Sequence, residues 1–157
     1  MKVIGNYMAK TLLGALGCSL LSLLVACGPT LPPSDVTLYA YYERFIDEAN
    51  SRHVILKETE IALVFGHTTS IPKDVMIVAT CQRDKRLITV DQEYWESASD
   101  TEREIVIMHE SGHCSAELPH NNSHKAIMNS YLLDSEYYNE HRIELLDELF
   151  STLDKWE

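Results

Sequence analysis

The stretch IVIMHESGHCSAELPHNNSHKAIMN, residues 105–129, contains four of the seven histidines of this 157-residue chain. Just before it, Ser99-Asp100-Thr101-Glu102 has the pattern of a capping box, in which the serine hydroxyl and the glutamate carboxylate bind each other's free backbone amides. The box predicts that a helix begins here and continues through EREIVIMHESGHCSA. Because the start of that helix is almost wholly apolar, we expect it to be buried in the middle of the domain.

Residues His109 to His113 read H-E-x-x-H. On a helix, residues four apart project from one face, so the two imidazoles can bind one Zn²⁺ ion. Glu110 lies about 100° round the helix from His109, where it can reach a water at the metal without being a ligand. Zinc lowers the pKa of such a water to about 7, and Glu110 would take its proton and later pass it to the leaving amine. The motif therefore predicts zinc-dependent hydrolysis of a peptide bond.

A third histidine, His120, follows the motif, and the sequence AIMN comes after it at residues 126–129. This layout resembles that of the metzincin zinc peptidases, in which a third histidine ligand is followed by a turn whose methionine packs beneath the metal. The resemblance implies that His109, His113 and His120 bind zinc, that Glu110 is the general base, and that Met128 lies in the Met-turn below them.

The turn before His120 differs from the metzincin pattern. In that pattern the third histidine comes ten residues after the first and a glycine turns the helix, whereas His120 comes eleven residues after His109. Ala116 or Glu117 stands where the glycine would be. Since a helix tends to stop before proline, we expect Pro119 to provide the break.

Two rival sources of a third ligand remain open. His124, fifteen residues after His109, is an alternative to His120. A different zinc architecture takes a glutamate from a downstream helix, and Glu140, with Glu144 nearby, resembles that arrangement.

The first 26 residues resemble a bacterial lipoprotein signal. They contain Lys2 and Lys10 but no acid, and their apolar run ends in Leu24-Val25-Ala26-Cys27, which is similar to the lipoprotein box. The resemblance implies that Cys27 is lipidated, that residues 27–34 form a tether, and that residues 35–157 form a single zinc metallopeptidase-like domain. Gly28 is similar to the sorting context of the outer membrane, so we expect a lipid-anchored protein of the cell envelope.

The net charge of the chain indicates which kinds of partner to expect. Loss of residues 1–26 removes two lysines, so the net charge changes from −11 to −11 − 2 = −13, which argues against a nucleic-acid partner. We expect a peptide or protein as the substrate, and we expect the lipid anchor to attach the chain to a membrane.

The cysteine content indicates a disulfide. If Cys18 is removed with the signal peptide and Cys27 is lipidated, the exported domain keeps Cys81 and Cys114, which favours a disulfide over two free thiols. Small bacterial lipoprotein metallopeptidases are similar in this pair and in a tryptophan, here Trp95, before the helix.

The remaining pattern predicts an α+β fold. Apolar spacing predicts an N-terminal helix over residues 35–52, capped by Ser34, and a C-terminal helix over about residues 135–155. Three β-branched segments, residues 61–65, 75–81 and 86–90, predict strands. We expect a small mixed sheet with a central active-site helix between N-terminal and C-terminal helices, similar to a minimal zincin.

Three functional hypotheses follow from these residues. The first is a lipid-anchored zinc metallopeptidase. The second is a non-catalytic, zinc-containing surface lipoprotein that acts as a binding module. The third is a metal-independent structural protein in which the histidine cluster is a solvated loop.

Overall fold

The computed structural model describes residues 30–68, 76–121, 123 and 125–156. In chain order the elements are α1 (Val36–Ser51), β1 (Ala62–Gly66), β2 (Ala79–Gln82), β3 (Leu87–Asp91), α2 (Gln92–Ser97), α3 (Asp100–Ala116) and α4 (Ser135–Phe150). The predicted signal peptide, the lipidation site Cys27 and the rival ligand His124 lie outside the described residues. None of the described helices is long and apolar enough to cross a membrane.

The three strands form one mixed sheet in the order β1-β3-β2. The central strand β3 runs parallel to β1 and antiparallel to β2. A 3-10 turn at Arg83–Lys85 connects β2 to β3. The second strand is shorter than predicted, because its regular pairing with β3 begins at Ala79, opposite Val90. The predicted α+β class with a small mixed sheet is confirmed.

Helix α1 covers one side of α3 with a stripe of apolar residues. The prediction that Ser34 caps this helix is wrong, because the Asp35 carboxylate accepts the Thr37 N–H at 2.8 Å. The Ser34 hydroxyl instead accepts the Leu63 N–H at 3.1 Å, so it ties the start of the helix to β1. The buried residues of α1 recur at three- and four-residue spacing: Leu38, Tyr41, Tyr42, Phe45 and Ala49.

Helix α3 lies between the sheet, α1 and α4. The predicted capping box is present: the Ser99 hydroxyl accepts the Glu102 N–H at 3.2 Å, and the Glu102 carboxylate accepts the Ser99 N–H at 2.7 Å. Eleven of the 17 residues of α3 are buried. Packing on several sides, rather than helix propensity, therefore fixes the position of this helix.

A buried carboxylate links α3 to both flanking helices. Glu104 accepts hydrogen bonds from the Tyr138 hydroxyl at 2.7 Å and from the Arg142 Nε at 2.8 Å. Arg44 of α1 donates to its other oxygen at 3.2 Å. A buried carboxylate is costly unless it is paired and hydrogen-bonded, so these three donors fix how α3 is rotated against α1 and α4.

Helix α4 ends earlier than predicted. It stops at Phe150 rather than near Lys155. Beyond it, Lys155 pairs with Val54, and the Trp156 N–H donates to the His53 carbonyl at 2.8 Å. The chain leaves the helix because these main-chain contacts with the end of α1 replace the helical hydrogen bonds.

A disulfide joins β2 to α3. Cys81 and Cys114 are bonded, with Cα atoms 5.7 Å apart, which confirms the predicted pair. The bridge closes a loop across a sequence separation of 33 residues. It therefore attaches the edge strand β2 covalently to the residue that follows His113.

We expect the Cys81→Ser/Cys114→Ser double variant to be less stable than the wild type. In the chain-entropy model, opening a loop of this length lowers the free energy of unfolding by about 4 kcal/mol, because the unfolded chain gains freedom. Urea unfolding followed by circular dichroism measures the difference. A loss below about 1 kcal/mol would show that the bridge does not restrict the unfolded chain as this model requires.

Candidate metal centre

Three imidazoles converge at the C-terminal end of α3. His109 and His113 lie one turn apart on the helix, and His120 reaches them from the segment that follows it. The Nε2 atom of His109 is 3.2 Å from the Nε2 atom of His113 and 3.2 Å from that of His120. In the described part of the chain, these three residues form the group that could hold a metal ion.

The turn that brings the third imidazole back begins at Glu117. This residue ends α3 in the left-handed conformation, with a φ of 56°, and the Leu118 N–H donates to the Gly112 carbonyl at 2.9 Å. Glycine usually occupies such a cap, because a β-carbon there costs about 1 kcal/mol. The prediction that Pro119 breaks the helix is wrong, since the helix has already ended at the left-handed residue.

The segment before β1 holds this turn in place. The N–H groups of Lys57 and Glu58 donate to the Ser115 carbonyl at 2.9 and 3.2 Å, and the Lys57 ammonium lies 2.6 Å from the Glu117 carboxylate. These contacts satisfy a carbonyl at the end of α3 and place a cation at the negative end of the helix dipole. Residues far away in the sequence therefore help to position His120.

Hydrogen bonds to the main chain orient the two helix imidazoles. The Nδ1 atom of His109 is 2.7 Å from the Ile127 carbonyl oxygen, and that of His113 is 2.7 Å from the Leu118 carbonyl oxygen. A carbonyl oxygen only accepts, so each Nδ1 carries the proton and donates it. Each Nε2 therefore has a free lone pair, and the two lone pairs face the same space.

The separations fit a tetrahedral metal ion. Nitrogen ligands about 2.0 to 2.1 Å from a tetrahedral zinc ion lie about 3.3 to 3.4 Å from one another. The two Nε2 separations of 3.2 Å at this site are close to that value. With their protons on Nδ1, His109 and His113 cannot form a hydrogen bond between their Nε2 atoms. A cation held by these lone pairs satisfies both nitrogens.

Burial keeps the two helix imidazoles neutral. Desolvation lowers the pKa of His109 from 6.5 to about 4, although the bond to Ile127 acts in the opposite direction. Desolvation also lowers the pKa of His113, against the effect of its bond to Leu118. Neutral imidazole is the form that binds metal, so both residues are in the binding form at neutral pH.

Glu110 lines the same cleft as the three imidazoles, and only 8% of it is exposed. The backbone N–H of Cys81, in β2, lies near its carboxylate. Desolvation raises the pKa of Glu110 to about 7, against the lowering effect of that N–H. A carboxylate with a pKa near neutrality can both accept and return a proton.

Met128, in the turn at residues 126–129, packs against α3 at Gly112, which lies between the two helix histidines in the sequence. A β-carbon at Gly112 would lie 2.5 Å from the Met128 Sδ atom, so the two residues are in close contact. The Met128 carbonyl also accepts the Asn121 N–H at 2.8 Å. The turn at residues 126–129 therefore supports both the helix that carries His113 and the segment that carries His120.

Asn129 supports that segment as well. Its side-chain amide donates to the Ser123 carbonyl at 2.7 Å, and its side-chain oxygen accepts the Tyr131 N–H at 2.8 Å. The side chain is buried. Sequence reasoning missed this role, because an asparagine in a polar loop is typical of turns in general.

A cleft of about 480 Å³ opens beside the metal centre. One wall consists of residues 76–81, which include most of β2, and another consists of Ile127 and residues 129–132, while residues of α3 line the cleft as well. The size is typical of ligand pockets. Tyr131 lines this cleft and is 73% exposed.

The two glutamates that were rival candidate ligands lie outside the group of three imidazoles. Glu140 and Glu144 are exposed on α4 and do not belong to the three-residue group. His124 falls outside the described residues. Trp95 is buried against Tyr41 and Phe65, which agrees with a core role.

Comparison with protein-family models, with curated proteins and with solved structures finds no match. The resemblance to the metzincins therefore stays a prediction that depends on the motif, the third histidine and the Met-turn. Function has to be inferred from the geometry of the site.

We expect Gly112→Ala to disturb the metal centre, because the new β-carbon would displace Met128. Overpacking of this kind costs about 1 to 3 kcal/mol of unfolding free energy, and it should weaken zinc binding as well. Urea unfolding and zinc titration measure the two effects. The matched control is the same change in a Met128→Ala background, where the cost should be much smaller. Equal costs in the two backgrounds would contradict the contact.

Proposed function

We propose that this protein is a lipid-anchored, zinc-dependent peptidase in which His109, His113 and His120 bind zinc and Glu110 is the general base. The observation that carries the proposal is the convergence of three imidazole nitrogens beside a buried carboxylate in an open cleft. Three protein ligands with a free fourth position are typical of catalytic zinc, whereas structural zinc is usually enclosed by four protein ligands.

In this proposal the metal and the side chains around it have different roles in the reaction. Zinc supplies Lewis acidity, which lowers the pKa of water and polarises a peptide carbonyl. His109 and His113 would bind the ion through Nε2, while each keeps its proton on Nδ1 and donates it to the Ile127 or Leu118 carbonyl. A carboxylate oxygen of Glu110 accepts the proton of the attacking water and then donates it to the nitrogen of the leaving amine.

The edge of the sheet favours an extended peptide as the substrate. In the described part of the chain, β2 pairs only with β3. The Asp91 N–H donates to the Val78 carbonyl, and bonded pairs alternate in an antiparallel ladder, so the main-chain groups of Ala79 and Cys81 point away from β3. An extended peptide can bind to such an edge through main-chain hydrogen bonds. This edge lies next to Glu110, whose carboxylate is near the Cys81 N–H.

The lipid anchor is the part of the proposal that depends on the N-terminal sequence. Acyl chains on Cys27 would give stable attachment to a membrane of the cell envelope. The proline-rich residues 28–34 would connect the anchor to α1. A peptidase held in this way would act on peptides or proteins near the membrane surface.

We expect Glu110→Gln to separate metal binding from catalysis. The full chain in detergent micelles, loaded with zinc, is incubated with a broad peptide library, and its zinc content is measured by elemental analysis. The variant should bind zinc with wild-type stoichiometry, because the side chain is not a ligand. Its cleavage rate should fall by about a hundredfold or more, because an amide cannot accept the proton.

The control is Glu140→Gln, which makes the same change at an exposed position on α4 and should leave zinc content and cleavage unchanged. It also tests the rival in which Glu140 is a ligand. If wild type and Glu110→Gln both hold zinc and neither cleaves any peptide, a zinc-containing binding module becomes the better account. A wild-type protein without stoichiometric zinc would overturn the proposal.

A further inference from the structure

We infer that the protein has a second ligand site, a pocket at the C-terminal end of α4 that binds an alkylammonium group. A lysine side chain and a free diamine both carry such a group. The site is independent of the proposed peptidase chemistry, because it depends on the shape and charge of a cavity other than the cleft.

This amine pocket is a cavity of about 470 Å³ between residues 118–121, residues 126–128 and the C-terminal end of α4. Its volume is typical of sites for small ligands. His120 and Ile127 line both this pocket and the cleft, so the two cavities adjoin at these residues. A ligand in the amine pocket would therefore contact the segment that carries the third candidate metal ligand.

The floor of the amine pocket is apolar. It includes Ala126, Ile127, Met128 and Leu149, and all four residues are buried. A hydrocarbon chain that covers such a surface is stabilised by the removal of apolar area from water. The floor therefore favours a ligand with an apolar stem over one that is polar throughout.

The rim of the amine pocket is negative. The described residues that line the pocket include one carboxylate, that of Glu148, and no lysine or arginine. The same rim is the negative end of the α4 dipole, and the last turn of this helix has no basic residue. A ligand that brings a positive charge to this rim is therefore favoured over a neutral or an anionic one.

The nearby cations of the described chain have other partners. Arg52 Nε donates to the Asp147 carboxylate at 2.8 Å, so it compensates the acid that precedes Glu148. The Lys125 ammonium lies 5.0 Å from the centre of the Tyr137 ring, and Lys125 does not line the amine pocket. Among the described residues, Glu148 accepts only the Asn121 side-chain amide, at 2.8 Å. An ammonium group supplied by a ligand would give this carboxylate a charged partner.

An apolar floor beneath a negative rim fits an ammonium group at the end of a hydrocarbon stem. Such a ligand can bury its stem along apolar surface and keep its charged group at the edge of the water. In the amine pocket the stem would cover Met128 and Leu149, and the ammonium group would reach Glu148.

A titration followed by NMR tests the site. The full chain in non-ionic detergent micelles, with its methionine methyl groups labelled with carbon-13, is titrated with acetyl-lysine methylamide. Acetyl-norleucine methylamide is the matched compound, because it has the same apolar stem without the charge. We expect the lysine compound to bind about fivefold more tightly, because of the carboxylate and the helix dipole.

The methionine signals show where the compound binds. The Met128 methyl signal should move, because Met128 lines the amine pocket, and the Met76 signal should not, because Met76 lines only the cleft. Equal affinity for the two compounds, no binding, or a response of Met76 alone would overturn the inference.

Titration with cadaverine, a free diamine, distinguishes the two sources of the ammonium group. Tighter binding of cadaverine than of the lysine compound would assign the pocket to a free diamine. The reverse order would assign it to a lysine side chain of a protein. Each order supports an amine site, whereas failure of both compounds to bind would overturn it.

A pair of variants tests the role of the carboxylate. Glu148→Gln removes the charge but keeps an oxygen that can accept the Asn121 amide. It should lower the affinity for the lysine compound about fivefold and leave that for the norleucine compound unchanged. Glu144→Gln is the control, because it removes the same charge at an exposed position one turn earlier on α4 that does not line the pocket. Equal losses in the two variants would show that the net charge of the chain attracts the amine, and would overturn the inference.

Discussion

Two hydrogen bonds, from His109 Nδ1 to the Ile127 carbonyl and from His113 Nδ1 to the Leu118 carbonyl, connect the parts of the fold that form the candidate site. The first ties α3 to the turn at residues 126–129, and the second ties it to the turn that leads to His120. Each bond also fixes the tautomer and the ring orientation of a candidate ligand. If either carbonyl moved, an Nε2 lone pair would no longer face the metal centre, so the surrounding structure has to hold both carbonyls still.

That surrounding structure places two buried carboxylates on α3 in opposite environments. Glu104 accepts three hydrogen bonds, two of them from arginines, and is part of the packing between helices. Glu110 lies near the Cys81 N–H, and desolvation raises the pKa of its carboxyl group to about 7. Ion pairs and hydrogen bonds keep a buried carboxylate charged and fix its position. A buried carboxylate with weaker partners has a raised pKa and can exchange a proton. The same helix therefore carries one structural and one potentially reactive acid.

Local features of the site could be predicted from the sequence. The capping box and the spacing of His109 and His113 depend only on the geometry of a helix, so both are found as expected. The disulfide could be predicted because the expected export of the chain would leave two cysteines to pair. The mixed sheet followed from three β-branched segments separated by residues typical of turns.

Features that depend on distant contacts could not be predicted. Glu117 adopts a left-handed conformation because Lys57 and its neighbours hold the end of α3, and no local pattern indicates this. Helix α4 ends at Phe150 because the chain after it pairs with residues beyond α1. The imidazoles donate to main-chain carbonyl groups. Every residue has such a group, so the sequence does not indicate which ones are the partners. The resemblance implied only that Met128 lies below the candidate ligands, and its contact with Gly112 is a result of the fold.

The central claim is that three imidazoles of this chain hold one zinc ion and leave a position open. X-ray absorption spectroscopy at the zinc edge, on the full chain loaded with one equivalent of zinc, tests it most directly, with His120→Ala measured beside the wild type. The account predicts four nitrogen or oxygen neighbours at about 2.0 Å, of which three show imidazole scattering, and two imidazoles in the variant. A sulfur neighbour at about 2.3 Å, or a spectrum that His120→Ala leaves unchanged, would contradict it.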